Sequence, residues 1–437
     1  MQENALKKND AVARPFYLEQ LRSRAWNGQA KVVTGIRRCG KSFLLNRLYR
    51  DDLLASGVAP EDIRCIALDE RRNLALRSPL ALADEVERWM DGFSGKRYLF
   101  IDEIQLCGPV RNPHVPDGAP VTFYDALNEF LHDERLDVYV SGSNSRMLST
   151  DILTEFRGRG DEIRVHPFSF AEYWSAAGGD RRDAFADYVR FGGMPLCLSR
   201  PGDAAREAYL RSLFSEVYIR DIVERRKVER PEILEKILDF LASAVGSLTN
   251  PHRIAQALGG AGAEVSVHTV AKYLAHIKDA FLFSEARRYD VKGRTYFSYP
   301  DKYYCEDLGL RNARLSFRQQ EISHLMENAV YNELVRRGFP VDVGVVQAVE
   351  KNAKGQSVRV PHEIDFVVNK GGERVYVQSA YAIRSEEKLA SERRAFSLAG
   401  DSFRKIIVRD DVLHRWFDET GVLHVNLLDF LLDESIV

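Results

Sequence analysis

The sequence predicts an α/β fold: a parallel five-stranded sheet wrapped by crossover helices, continued by helical and then mixed segments. Three observations predict it. Short apolar runs alternate with amphipathic stretches through the first third of the chain, which is the pattern of parallel strands joined by helices. The region from Phe168 to about Asp239 reads almost wholly as helix. From Ser323 onward a helix gives way to β-type runs.

In order, KVVTG (31–35) reads as a buried strand and SFLLNRLYRDDLLAS as the helix after it. IRCIALD (63–69) is a second strand and PLALADEVERWMDGF a second helix. KRYLFID (96–102) is a third strand; GPVRNPHVPDGAP (108–120), rich in Pro and Gly, interrupts its crossover as a surface loop. The helix VTFYDALNEFLHDE leads to a fourth strand, DVYVSGS (137–143). SRMLSTDILTEF is helical and DEIRVHP closes the series as a fifth strand. FGGMP (191–195) is a turn between helices, and Glu232–Tyr299 a helix-rich stretch ending in a hairpin-like segment. After the linker RLSFRQQ come the helix ISHLMENAVYNELVRRG and the runs EIDFVV and RVYVQSAYAI.

Composition narrows the classes. The 437 residues are 45% hydrophobic and 29% charged, the balance of a globular protein. The formal net charge is -2, so any nucleic-acid binding has to come from a local patch. The start, MQENALKKND, lacks the apolar segment of a signal peptide, and no apolar run reaches bilayer length. Five scattered cysteines, without a CxxC pair or Cys/His cluster, favour reduced thiols. The expectation is a cytoplasmic protein with no membrane partner.

The chemistry begins at GIRRCGKS (35–42), which fits G-x-x-x-x-G-K-[ST] in full, after a buried strand and at a helix start. Glycines let the backbone curl so that its N–H groups face phosphates, and the helix start adds a favourable field. Gly35, Ile36, Arg37, Arg38, Cys39, Gly40, Lys41, Ser42 and Phe43 are therefore the candidate contacts to ATP. Lys41 reaches the β- and γ-phosphates, and Ser42 is a candidate Mg2+ ligand. Independently, YLFIDEIQ ends a strand in Asp102-Glu103. Asp102 is placed to organise Mg2+ and Glu103 to polarise the attacking water. At the end of the next strand Asn144, or Ser143, holds that water or caps a helix; both roles are compatible. In EFRGRG, Arg157 and Arg159 follow a helix, Arg159 directly after Gly158. Arg159 is the preferred candidate to stabilise the transferred phosphoryl charge, in trans on a neighbouring subunit, which implies a homo-oligomer. The alternative is an exposed charged loop.

GIRRCGKS, YLFIDEIQ, SGSNSRML, the GRG segment, HPFSFAEYW and FGGMP, in that order, resemble the prokaryotic AAA-type ATPases whose C-terminal half carries the domain of unknown function 4143. SEVYIRDIVER and the EIDFVV…VYVQSAY tail extend the resemblance over nearly the whole chain. It implies an AAA-type P-loop core (1–167), a helical lid or linker (168–239), a winged-helix-like domain (240–318) and a domain similar to PD-(D/E)xK nucleases (319–437). ATP rather than GTP also rests on the resemblance. One departure is Cys39, where the family commonly has a small hydroxyl residue. A thiol at a helix start tends towards a lowered pKa, so oxidation there is expected to block nucleotide binding, against the simpler reading of a tolerated small side chain.

LTNPHRIAQALGG and SVHTVAKYLAHIKDAFLF read as two helices, the second capped by Ser266, and EARRYDVKGRTYFSY as a basic wing. Lys272, Arg287, Arg288, Lys292 and Arg294 are the candidate DNA contacts; a protein client is the equal alternative. In the tail, Glu327, Asp365 and Gln378 stand where a nuclease has carboxylates. Gln378-Ser379-Ala380 replaces E-x-K, so one ligand becomes an amide and the lysine is missing, and Gln378 with Tyr381 resembles the family's Q-x-x-Y variant. A degenerate nuclease fold is expected, because neutral groups cannot supply the missing charge. The functional expectation is a Mg2+-dependent ATPase that drives conformational change on a nucleic-acid or protein partner. The rivals are a slow ATP-gated switch, a nuclease under ATPase control and, more weakly, a small-molecule kinase.

Overall fold

The computed structural model describes residues 11–115, 118–142, 160–298, 300–318, 321–352 and 354–437. The chain forms two compact units: Lys8–His166 with Asp279–Phe281, and Pro167–Lys278 with Leu282–Val437. Among the described residues no helix is long and apolar enough to cross a membrane.

The first unit is built on five parallel strands, β1 (Ala30–Thr34), β2 (Ile63–Ala67), β3 (Arg97–Asp102), β4 (Leu136–Ser141) and β5 (Gly160–Arg164), in the order β2-β3-β4-β1-β5. The five expected strands are present, with ends shifted by up to three residues. On one face the helix Pro79–Met90 buries Leu82, Val86 and Met90, a single stripe at four-residue spacing. Beside it, Phe123–His132 buries Phe123, Ala126, Leu127 and Phe130. That helix begins where it does because Thr122 and Asp125 form a reciprocal capping box. Lys31, in a strand that reads as uniformly buried, is itself fully buried and paired with Asp137. Burial lowers its pKa while the Asp137 charge opposes that shift.

In the second unit the described residues of 168–278 and 282–437 cluster together. The region after Pro167 is helical as expected, from Phe170–Ala177 through Pro231–Ser243. The FGGMP turn is buried. Gly193 N–H donates to Asp307 Oδ2 at 2.6 Å, and Gly193 O accepts from Phe168 N–H at 2.8 Å. Helices Pro251–Gly260 and Val267–Asp279 follow, the second begun by Ser266, whose Oγ accepts from Thr269 N–H at 3.1 Å.

Two sheets complete this unit. β6 (Phe283–Ala286) pairs antiparallel with β9 (Lys302–Cys305). The other sheet has eight strands: β7 (Arg288–Asp290), β8 (Thr295–Tyr296), β10 (Val341–Lys351), β11 (Ser357–Lys370), β12 (Glu373–Ala380), β13 (Arg404–Arg409), β14 (Trp416–Phe417) and β15 (Leu423–Asn426). Their order is β14-β15-β13-β12-β11-β10-β7-β8. The basic hairpin β7–β8 is thus not a free-standing wing: β7 runs parallel to β10, with Val343 opposite Arg288. The helix Ile322–Arg336 is largely buried, through Leu325, Met326, Ala329, Val330 and Leu334 among others.

Candidate nucleotide site

The glycine loop leaves the carboxyl end of β1, the strand flanked by β4 and β5. A Cβ on Gly35 would lie 2.0 Å from Val165 O, and its φ is +135°, so only glycine fits without displacing the backbone. Arg38 and Gly40 also take positive φ, which curls the loop back to the helix that starts at Lys41. That helix continues to Ala55 through a π-wound stretch, Leu44–Tyr49.

The side chains separate into two sets. Ile36 and Cys39 are fully buried, so they can offer a ligand only their backbone. Arg38, Ser42 and Phe43 are exposed, Phe43 by 48%. Lys41 is buried, its Nζ donating to Gly35 O and Ile36 O at 2.9 Å each. The Cys39 thiol donates to Val165 O at 3.3 Å. Shielded in this way, it fits the reading of a tolerated small side chain better than that of an oxidation-sensitive one.

Arg14 ties the loop down from outside the motif. Its guanidinium, 2% exposed, donates to Cys39 O at 3.2 Å and to His166 O at 2.8 Å, and packs over the Tyr17 ring. The sequence offered no signal for this role, because Arg14 lies 25 residues from Cys39 and 152 from His166.

Asp102 ends β3, two strands away from β1. Strand spacings of about 4.8 Å put these strand ends about 10 Å apart. Asp102 is buried, and its Oδ1 accepts from Glu103 N–H at 3.0 Å and from Ser141 Oγ. Ser141, fully buried, ends the intervening strand β4. The sequence reading passed over it for Ser143 and Asn144, since a serine ending a strand is unremarkable until β4 is known to lie beside β3. Glu103 turns out of the strand in the left-handed region, φ 55° and ψ 49°, rare for a residue with a Cβ. Its Oε2 accepts from Gln105 Nε2. Ser143, Asn144, Arg157 and Arg159 lie outside the described residues.

Elsewhere, Lys272, Arg287, Lys292 and Arg294 are exposed and Arg288 is half-buried. Arg287 stacks over Tyr296 at 4.3 Å and Arg288 over Phe297 at 5.2 Å. In the tail, Glu327 and Asp365 come together, and Gln378 Oε1 accepts from Asp365 N–H at 3.3 Å. A lysine that the sequence did not single out lies among these acids. Lys302 Nζ, from β9, lies 2.9 Å from Glu327, 2.7 Å from Glu363 and 3.6 Å from Asp365.

Residues 27–174 match the family model of an AAA domain, and residues 182–321 match a domain of unknown function, DUF8612, where the sequence resemblance pointed to 4143. An uncharacterized protein of Haemophilus influenzae is 30% identical over 429 residues, covering 96% of this chain and 98% of its own. One from Methanocaldococcus jannaschii is 24% identical over 374 residues, covering 82% and 76%. Among solved structures, the Walker-type ATPase of Pyrococcus abyssi aligns at 16% identity and a TM-score of 0.49, over 71% of this chain and 97% of that one. The chain belongs to one family with the Haemophilus influenzae protein, and its residues 27–174 match an AAA domain.

Proposed function

We propose that this protein hydrolyses Mg-ATP at the carboxyl end of its five-stranded sheet and uses the cycle to act on DNA. The observation that carries the first half is the placement of Asp102 and Glu103 across β4 from the Gly35–Ser42 loop. That gap suits a triphosphate held by the loop at one end and a water held by a carboxylate at the other. The donor set fits Mg2+, a hard cation that takes oxygen ligands: the exposed hydroxyl of Ser42 and the carboxylate of Asp102, whose two hydrogen bonds both reach Oδ1. When bound, Mg2+ neutralises charge on the β- and γ-phosphates.

The chain's own groups do the rest. Lys41 exchanges two loop carbonyls for phosphate oxygens. Backbone N–H groups of the loop, held by Arg14 and by the fit of Gly35 against Val165, cradle the remaining charge. Glu103 leaves Gln105 to take a proton from the attacking water. Ser141 orients Asp102. Ser141→Ala is expected to raise the Mg2+ concentration for half-maximal turnover about tenfold, the usual cost of losing a group that orients a metal ligand. A Mg2+ titration of phosphate release checks this, and an unchanged midpoint removes Ser141 from the site.

The DNA half rests on Arg287, Lys292 and Arg294, exposed on and around the β7–β8 hairpin, beside Lys272 on the preceding helix. Backbone contacts of this kind release counterions, so each lost cation lowers the salt slope of binding by about one. The triple variant Arg287→Ala, Lys292→Ala, Arg294→Ala is expected to bind duplex DNA with a slope reduced by about three and to lose any DNA stimulation of ATP turnover. Turnover that ignores DNA in the wild type rejects this half and favours an ATP-gated switch with a protein partner. The C-terminal sheet with Glu327, Asp365 and Gln378 supports a nuclease-like fold adapted to binding.

A further inference from the structure

The cluster around Lys302 draws on three distant parts of the chain: β9, the helix Ile322–Arg336 and β11. Lys302 is 4% exposed, and its ammonium touches Glu327 and Glu363 and approaches Asp365. Tyr304 OH donates to the same Glu327 oxygen at 2.6 Å. Ser379 N–H donates to Asp365 Oδ2 at 2.9 Å. Each carboxylate is thus fixed by a partner besides the ammonium or lies on a strand that fixes it. Among the described residues no group of three or more His, Cys, Asp or Glu is arranged to hold a metal ion. The acids instead surround a nitrogen.

We infer that the Lys302 ammonium is the resident cation of this cluster, standing where a nuclease-like domain would hold a divalent metal, so that the domain is built not to bind metal and not to cut. The chemistry is consistent on both sides. A cluster of buried and half-buried carboxylates needs a positive charge, and a covalently attached ammonium supplies one at no cost in metal binding. A monocation with fixed N–H directions cannot act as Lewis acid or activate water as a divalent ion does. Burial works against the charge on Lys302, yet Glu327, Asp365 and Glu363 outweigh it and hold its pKa above the ordinary value. One ammonium still leaves the three acids in excess. Burial, and next the Glu327 charge, push the Asp365 carboxyl above its ordinary value. The inference rests on the nuclease-like reading of the tail and is independent of the ATPase reading, since it concerns the other compact unit.

The test is Mn2+ binding to nucleotide-free protein, followed by the loss of the free-ion electron paramagnetic resonance signal. Wild type and Asp365→Asn are expected to titrate alike. Lys302→Met, which keeps length and removes charge, is expected to gain a Mn2+ site about tenfold or more tighter than any in the wild type, because acidic ligand count sets divalent affinity. That gain should vanish in Lys302→Met with Asp365→Asn. If Lys302→Met does not fold in chelator, recovery of its far-ultraviolet circular dichroism on adding Mn2+ supports the inference, and failure to recover overturns it. It is equally overturned if folded Lys302→Met gains no site. Mn2+ binding or DNA cleavage by the wild type that Asp365→Asn abolishes also overturns it.

Discussion

Replacing Glu103 with glutamine stops ATP turnover while leaving ATP binding within about threefold of the wild type; removing a general base typically costs about a hundred- to ten-thousandfold in rate. The substitution is nearly isosteric, so the left-handed turn at residue 103 and the Asp102 contact to its N–H survive. What disappears is the capacity to accept a proton. Binding should hold because its determinants lie two strands away, in the loop with Lys41 and the exposed Ser42. Phosphate release gives the rate and a fluorescent ATP analogue gives the affinity. Turnover within about threefold of wild type would remove Glu103 from the chemistry. Loss of both binding and turnover would mean that the backbone turn, and not the carboxylate, is what the site needs.

Gly193→Ala is expected to destabilise the second unit strongly. An added Cβ would sit 2.1 Å from Phe168 O and 2.9 Å from Phe168 N, both backbone atoms that cannot rotate away. The same two residues are joined by a hydrogen bond, and Asp307 holds the Gly193 N–H from the other side. Relief requires breaking at least one of these buried bonds and shifting a helix start. The expected cost is about 4 kcal/mol, the exceptional end of single substitutions. For a unit of this size that lowers Tm by about 8–16 °C. Gly259→Ala is the control: nothing lies within 4 Å of its Cβ, and it sits inside the helix Pro251–Gly260. It should stabilise by about 0.5–1 kcal/mol. If the two variants melt together, close backbone approach is not what makes residue 193 a glycine.

What the sequence reveals, and what it hides, divides along the range of the interactions. The five strands, their crossover helices and the GIRRCGKS and DE segments are legible because each is written in consecutive residues. Burial periodicity and glycine spacing are local properties. Ser141 is hidden because its meaning depends on β4 lying beside β3. Arg14 is hidden because Cys39 O and His166 O, to which it donates, are backbone carbonyls, which no motif encodes. Lys302 is hidden most deeply: it precedes the tail in sequence and meets Glu327, Glu363 and Asp365 only when β9, a helix and β11 converge. The β7–β10 pairing is hidden for the same reason, and it ties the basic hairpin into the sheet that holds β11.

That pairing also governs how the chain behaves among its own copies. An open sheet of eight strands has two edges, and an edge with free N–H and C=O groups recruits strands from other molecules. Here one edge is β8 and the other β14, each only two residues long. Ladders so short offer an incoming strand almost nothing to copy. The exposed Trp416 and Phe417 on the second edge are thus displayed without the backbone template that would turn them into the seed of a fibre.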